Sequence, residues 1–123
     1  MKLITNNPMV RDYFAGMDKF QVEYIEVLGY MDVLKRARDE IHLGKILQTH
    51  PLSGSVKPNE TPYKSLALDK DSLHDIDSLW LIEQAIATYL KFEKNKAMPQ
   101  WTERVREDFM VVDFDLIKNA LIR

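Results

Sequence analysis

The first fifty residues switch repeatedly between two hydrophobic periods, and that alternation narrows the fold more than any other feature. Lys2-Leu3-Ile4-Thr5 is a short apolar run that reads as a strand. Asn6-Asn7-Pro8 stops it: Asn7 is a good helix N-cap and Pro8 suits the first helical position. Met9, Val10, Tyr13 and Phe14 then recur at helical spacing up to Gly16. Residues 22–27 have strand composition, ended by Gly29. Met31 to Leu43 reads as an amphipathic helix, with Val33, Leu34, Ala37 and Ile41 buried. Lys35, Arg36, Arg38, Asp39 and Glu40 face solvent in that reading, and Gly44 closes the helix. Lys45 to Gln48 is a third strand. Strand, helix, strand, helix, strand predicts right-handed crossovers and a parallel sheet. With residues 65–68 as a further strand, the expected fold is a small three-layer Rossmann-like α/β domain. Its sheet would be parallel with about four strands, followed by C-terminal helices.

The second half is helical. A cap at Ser72 or Asp75 opens a long helix ending near Lys94. Leu73, Ile76, Leu79, Trp80, Ile82, Ala85, Ile86, Tyr89 and Leu90 cover more than half its circumference. A face that wide packs on two sides or on a second subunit, so a homodimer through residues 73–90 is an expectation. Trp101 to Met110 reads as a helix, and Asp113 or Asp115 as the start of a last short one, with residues 110–112 as an alternative strand. Arg104, Arg106, Glu103 and Glu107 read as a solvated helix face with i,i+3 pairs. The 123 residues suit one domain spanning 1–123, with a helical extension from about residue 96.

Between strand and long helix lies a stretch with neither period, Thr49 to Ser65. Loops of this length inside compact domains are usually functional or disordered, and Pro51, Pro58 and Pro62 lower the cost of ordering this one. In a parallel sheet it would follow a strand's carboxyl end, as does the Thr5-Asn6-Asn7 turn, and ligands bind at that edge. The candidate ligand-binding residues are therefore Thr5, Asn6, Asn7, Thr49, Ser53, Gly54, Ser55, Lys57, Asn59, Glu60, Thr61, Tyr63 and Lys64. Ser53-Gly54-Ser55 can form a backbone nest for an anion, and Lys57 and Lys64 add charge. Neither a Walker loop nor Gly-x-Gly-x-x-Gly is present. His50 is the candidate acid–base residue; its alternative role is to fix the loop backbone. His42 reads as a helix-end residue and His74 as a surface one. Trp80 and Trp101 read as packing residues.

Composition removes several classes. No cysteine occurs, which excludes a disulfide framework, a thiolate nucleophile, an iron–sulfur cluster and any thiol redox role. A net charge of −2 without a basic run gives no reason to expect nucleic acid. No paired-histidine spacing points to a metal, and no cofactor motif is present. Residues 1–30 lack a signal-peptide pattern, and no apolar run approaches the roughly 20 residues that span a bilayer, so no membrane association and a cytoplasmic location are expected.

Leu3-Ile4-Thr5-Asn6-Asn7-Pro8, Arg38-Asp39-Glu40-Ile41-His42-Leu43-Gly44 and the Thr49–Ser65 run together resemble the GrdX family. The resemblance covers roughly residues 2–90. It implies a small accessory protein of the glycine, sarcosine and betaine reductase systems of amino-acid-fermenting bacteria. Those systems use selenium and thiol chemistry and generate acetyl phosphate; a chain without cysteine is not their redox component. Three functions stay open. The first is an accessory protein that binds a small anionic ligand or a reductase subunit through the Thr49–Ser65 loop. The second is an enzyme acting on a phosphorylated or carboxylated small molecule with His50 as acid or base. The third is a non-catalytic assembly factor.

Overall fold

The computed structural model describes residues 1–26, 29–52, 58, 60–70, 77–96 and 98–122, apart from the Asn95 side chain. The elements run β1 (Lys2–Thr5), α1 (Pro8–Phe14), β2 (Gln21–Tyr24), α2 (Tyr30–His42), β3 (Ile46–Leu47), β4 (Ser65–Asp69), α3 (Ser78–Asn95) and α4 (Glu103–Leu121). The helix signals read in sequence act as expected at the first two helices. Asn7 caps α1, its Oδ1 accepting the Met9 N–H at 3.0 Å. Gly44 takes a φ of +103° just beyond α2, a conformation that penalises any side chain.

The strands form one mixed sheet in the order β2-β1-β4-β3. β1 and β2 are parallel, Leu3 opposite Val22 and Thr5 opposite Tyr24. β4 is antiparallel to both neighbours, Thr5 facing Ser65 and Leu47 facing Leu68. The all-parallel sheet expected from the sequence is therefore corrected at β4. A parallel neighbour needs a crossover, usually a helix, to carry the chain back over the sheet. Residues 48–64 contain no helix among those described, so the chain returns in the opposite direction.

Alternation along β1 and β4 sends side chains to two cores. Leu3 and Ala67 pack with Val10, Phe14 and Phe20 near α1, and with Ile117 of α4. Ile4, Leu66 and Leu68 pack with Val33, Leu34 and Ala37 of α2 and with Ile82, Ala85 and Ile86 of α3. Tyr30 and Tyr89 stack there with ring centres 5.6 Å apart.

Three other expectations change. α4 is one helix, not two: nothing in 103–121 breaks it, and Thr102 caps it through the Val105 N–H at 3.3 Å. Asp113 is thus not a cap but a buried mid-helix carboxyl. α3 begins at Ser78, its cap being Asp77, which accepts the Trp80 N–H at 3.1 Å. The alternative caps Ser72 and Asp75, the apolar Leu73 and Ile76, and His74 lie outside the described residues. Glu40, expected in solvent, is buried. It accepts Lys2 Nζ at 2.5 Å and Arg36 Nη2 at 2.6 Å, and the same two cations hold Glu23 at 3.0 and 2.6 Å.

Candidate functional site

The Thr5-Asn6-Asn7 turn leaves β1 at its carboxyl end, beside the start of β4 because β4 runs the other way. All three side chains are buried, and each has hydrogen-bond partners. Asn6 Nδ2 donates to the Pro62 carbonyl at 2.7 Å, and its Oδ1 accepts the Lys64 N–H at 2.9 Å. One asparagine thus pins the returning end of the long loop. Asn7 Nδ2 donates to the Met110 carbonyl at 2.8 Å and to Asp113 Oδ2 at 3.0 Å, which ties the same turn to α4. Thr5 Oγ1 accepts the Asn7 N–H at 3.0 Å and shares a 2.7 Å hydrogen bond with Ser65 Oγ. Ser65 Oγ also donates to Asp113 Oδ2 at 2.8 Å.

Asp113 is the junction of this network. Burial pushes its carboxyl above the ordinary aspartate range, opposed by hydrogen bonds from Asn7 and Ser65 and by the Lys64 charge. Lys64 lies in the interior rather than on the loop surface. Burial brings its amine down to about 8, against the pull of Asp113. Its Nζ sits 5.7 Å from the centre of the Tyr30 ring, and Tyr30 OH donates to the Pro51 carbonyl at 3.1 Å. Thr49, Lys64, Ser65 and Asp113, with Leu116, Ile117 and Ala120, line a cavity of about 10 Å³. That holds about one water and no substrate.

The remaining sequence candidates are spread over the loop. Thr49 Oγ1 accepts the Ala67 N–H at 3.2 Å and so belongs to the sheet edge. His50 is exposed, and its Nδ1 accepts the Leu52 N–H at 3.0 Å. Thr61 Oγ1 brackets the Tyr63 backbone, with contacts of 3.3 Å to its N–H and its carbonyl. The Glu60 carbonyl accepts Trp101 Nε1 at 2.6 Å. Ser53, Gly54, Ser55, Lys57 and Asn59 lie outside the described residues.

Beside this frame the surface opens. Pro62, Met98, Pro99, Gln100, Trp101 and Arg106 line a cleft of about 300 Å³. Tyr63, Glu103, Arg106, Glu107 and Met110 line another of about 270 Å³. Both reach Arg106, which forms no ion pair among the described residues; the i,i+3 pair expected with Glu103 is not made. Burial raises the Tyr63 hydroxyl above its ordinary value and the Arg106 charge pulls it back. Among the described residues no three His, Asp or Glu side chains are grouped as metal ligands.

Sequence reading missed Asp113 and Arg106. Asp113 had a signal: Met110, Asp113, Ile117 and Leu121 recur at three- and four-residue spacing, so a carboxyl stands on the buried stripe. Arg106 had none, because a charged helix face with acids nearby is the ordinary solvated pattern.

The profile of the GrdX-like protein family matches residues 2–122. The chain belongs to the GrdX-like family. The match extends past the residues 2–90 recognised by motif and takes in all of α4. Asp113 and Arg106 thus stand within the matched region. No curated protein and no solved structure gives a significant match. No helix among the described residues is long and apolar enough to cross a membrane.

Proposed function

We propose that this GrdX-like chain is a cytoplasmic accessory protein of glycine, sarcosine or betaine reductase metabolism, acting by binding at the edge where the Thr49–Ser65 loop returns to the sheet. The observation that carries the reading is the anchoring of that return. Asn6 holds residues 62 and 64, Trp101 holds residue 60, and Asn7 with Asp113 locks α4 alongside. A segment fixed at so many points offers a preorganised surface and loses little entropy on binding. Arg106, which forms no ion pair among the described residues, supplies positive charge at that edge for a small anion or an acidic group of a reductase subunit.

Two measurements test this. Purified reductase components, titrated against the immobilised chain, should bind saturably. Phosphate, acetyl phosphate and small carboxylates, screened at fixed ionic strength, should raise the melting midpoint if the ligand is small. Saturation at a hundred times the dissociation constant stabilises the fold by about 2.7 kcal/mol, roughly ten degrees for a domain of this size. If no reductase component binds and no anion moves the midpoint at millimolar concentration, the reading fails.

A further inference from the structure

Residues on either side of Arg106 have the composition of an interface rather than of ordinary surface. Trp101, Tyr63, Arg106, Met98 and Met110 all line the two clefts. Aromatic residues, methionine and arginine are the types enriched where proteins bind proteins, and Trp, Tyr and Arg dominate binding energy there. The two clefts meet at Arg106, and Pro62 of the first adjoins Tyr63 of the second along the chain, so together they form one groove along the start of α4. Small-molecule sites enclose most of their ligand, whereas this groove is open to the surface along its length.

Its walls are already fixed. Trp101 donates its indole N–H to the Glu60 carbonyl and leans on Phe109 with ring centres 5.5 Å apart. Tyr63, which lines the second cleft, is buried. Charge is distributed unevenly along the groove. The Trp101 end is apolar, with Met98, Pro99 and Pro62. Arg106 stands at the middle without an ion pair among the described residues. Glu103 and Glu107 stand at the other end and are exposed.

We infer that this groove docks an extended segment of a partner protein that presents one carboxylate side chain to Arg106, with an apolar side chain on one flank and a basic one on the other. The inference rests on the binding role proposed above and commits it to a protein partner. The apolar flank packs against Trp101 and Met98. The carboxylate takes the guanidinium in a paired hydrogen-bonding geometry. The basic residue faces Glu103 and Glu107. Those two acids also repel a run of acidic residues, so the segment carries a single carboxylate rather than an acidic tract.

The probe is fluorescein-labelled acetyl-Pro-Leu-Glu-Lys-Pro-amide, followed by fluorescence anisotropy against the full chain. Saturable binding is expected. Changing the peptide Glu to Gln, which leaves the protein untouched, should weaken binding roughly tenfold or more, as should Arg106→Gln. Changing the peptide Leu to Gly should also weaken it, and Glu107→Lys should weaken the Lys peptide while strengthening an all-acidic one. No saturable binding at millimolar peptide overturns the inference. So does equal affinity for the Glu and Gln peptides, or complete competition by acetate or phosphate, which would mark a small-anion site. Reductase binding that survives Arg106→Gln overturns the groove and leaves the accessory role standing. Absence of any reductase binding fails the accessory role, while the peptide result still decides the groove.

Discussion

The Asp113 junction gives the sharpest test of how the fold is held. Asp113→Asn and Asp113→Leu both remove a buried carboxyl, so the desolvation of its charge cancels between them. They differ in what they leave for the neighbours. Asparagine keeps one oxygen for Asn7 Nδ2 and Ser65 Oγ, now 3.0 and 2.8 Å from Oδ2. Leucine offers none. Asn7 keeps its other amide hydrogen on the Met110 carbonyl at 2.8 Å but strands the second. The Ser65 hydroxyl can turn to Thr5 Oγ1 at 2.7 Å, so it is rescued at least in part. A stranded buried donor costs about 2 kcal/mol, so one to two of them put Asp113→Leu roughly 2–4 kcal/mol below Asp113→Asn. At about 4 °C per kcal/mol for a chain of this length, the melting midpoints should differ by roughly 8–15 °C. Urea unfolding followed by circular dichroism measures the same gap. pH adds a second axis. Because the folded-state carboxyl titrates above its unfolded value of 3.8, the native state holds the proton longer, and wild-type stability falls as pH rises through that window. Asp113→Asn has no such loss, so its stability relative to wild type should climb from pH 4 upward and then level off. Equal midpoints for the Asn and Leu variants, or a difference that does not change with pH, would refute the reasoning.

Further outcomes follow from other parts of the molecule. Hydrogen bonds from Lys2 and then Arg36 hold the Glu40 carboxyl below its ordinary value; at Glu23, partial burial pushes up but Arg36 and Lys2 prevail. Their stabilisation is therefore present above about pH 4.5 and lost as pH falls through the depressed values, and Glu40→Gln should cost on the order of 2 kcal/mol at pH 7 and flatten the acid limb of the stability curve. Lys64 has the opposite sense: burial favours its neutral form, so wild-type stability should rise as pH climbs from about 8 toward the unfolded value of 10.5, and Lys64→Met should abolish that rise in a pH series of urea midpoints. Gly44→Ala forces a side chain into a φ of +103° and should lower stability by about 1 kcal/mol in thermal melts, whereas Gly16→Ala, with open space around it, should not. Leu79, Trp80 and Leu90 of α3 are exposed, so a homodimer through that helix should appear in light scattering between micromolar and millimolar chain, and Trp80→Glu should abolish it; monomer mass throughout removes that expectation.

Much of the fold was legible because local signals are strong where the chain is short-range. Asn7-Pro8 wrote the start of α1, and the Val33, Leu34, Ala37 stripe wrote the buried face of α2. The direction of β4 was not legible. Strand polarity depends on how the chain crosses the sheet, and the loop before β4 has no period that would reveal it. Glu40 was misread because its partner Lys2 comes from a strand 38 positions away in sequence, and helical periodicity sees only one helix at a time. The candidate site divides the same way. The Thr5-Asn6-Asn7 turn and the loop return were visible as unusual residues at strand ends, but Asp113, which joins Asn7 to Ser65, lies 106 positions from the first and 48 from the second, on a helix that looked broken. What the turn does with its amides, gripping the loop and α4, is a property of that contact.

The placement of β4 has a consequence for how the molecule comes into being. β4 is the strand that joins β1 to β3, and it is supplied after both. Until residue 69 has left the ribosome, β3 has no partner in the sheet and one edge of β1 stays bare. The nascent chain therefore passes through a stage with a two-stranded parallel ribbon, two exposed apolar faces and an open strand edge, the arrangement most prone to mispairing. Its closing contact, Thr5 to Ser65, spans sixty residues, which slows assembly by the entropy of so large a loop. Loop residues 48–64 thus set the time at which the sheet closes, and lengthening them should delay folding more than it lowers final stability.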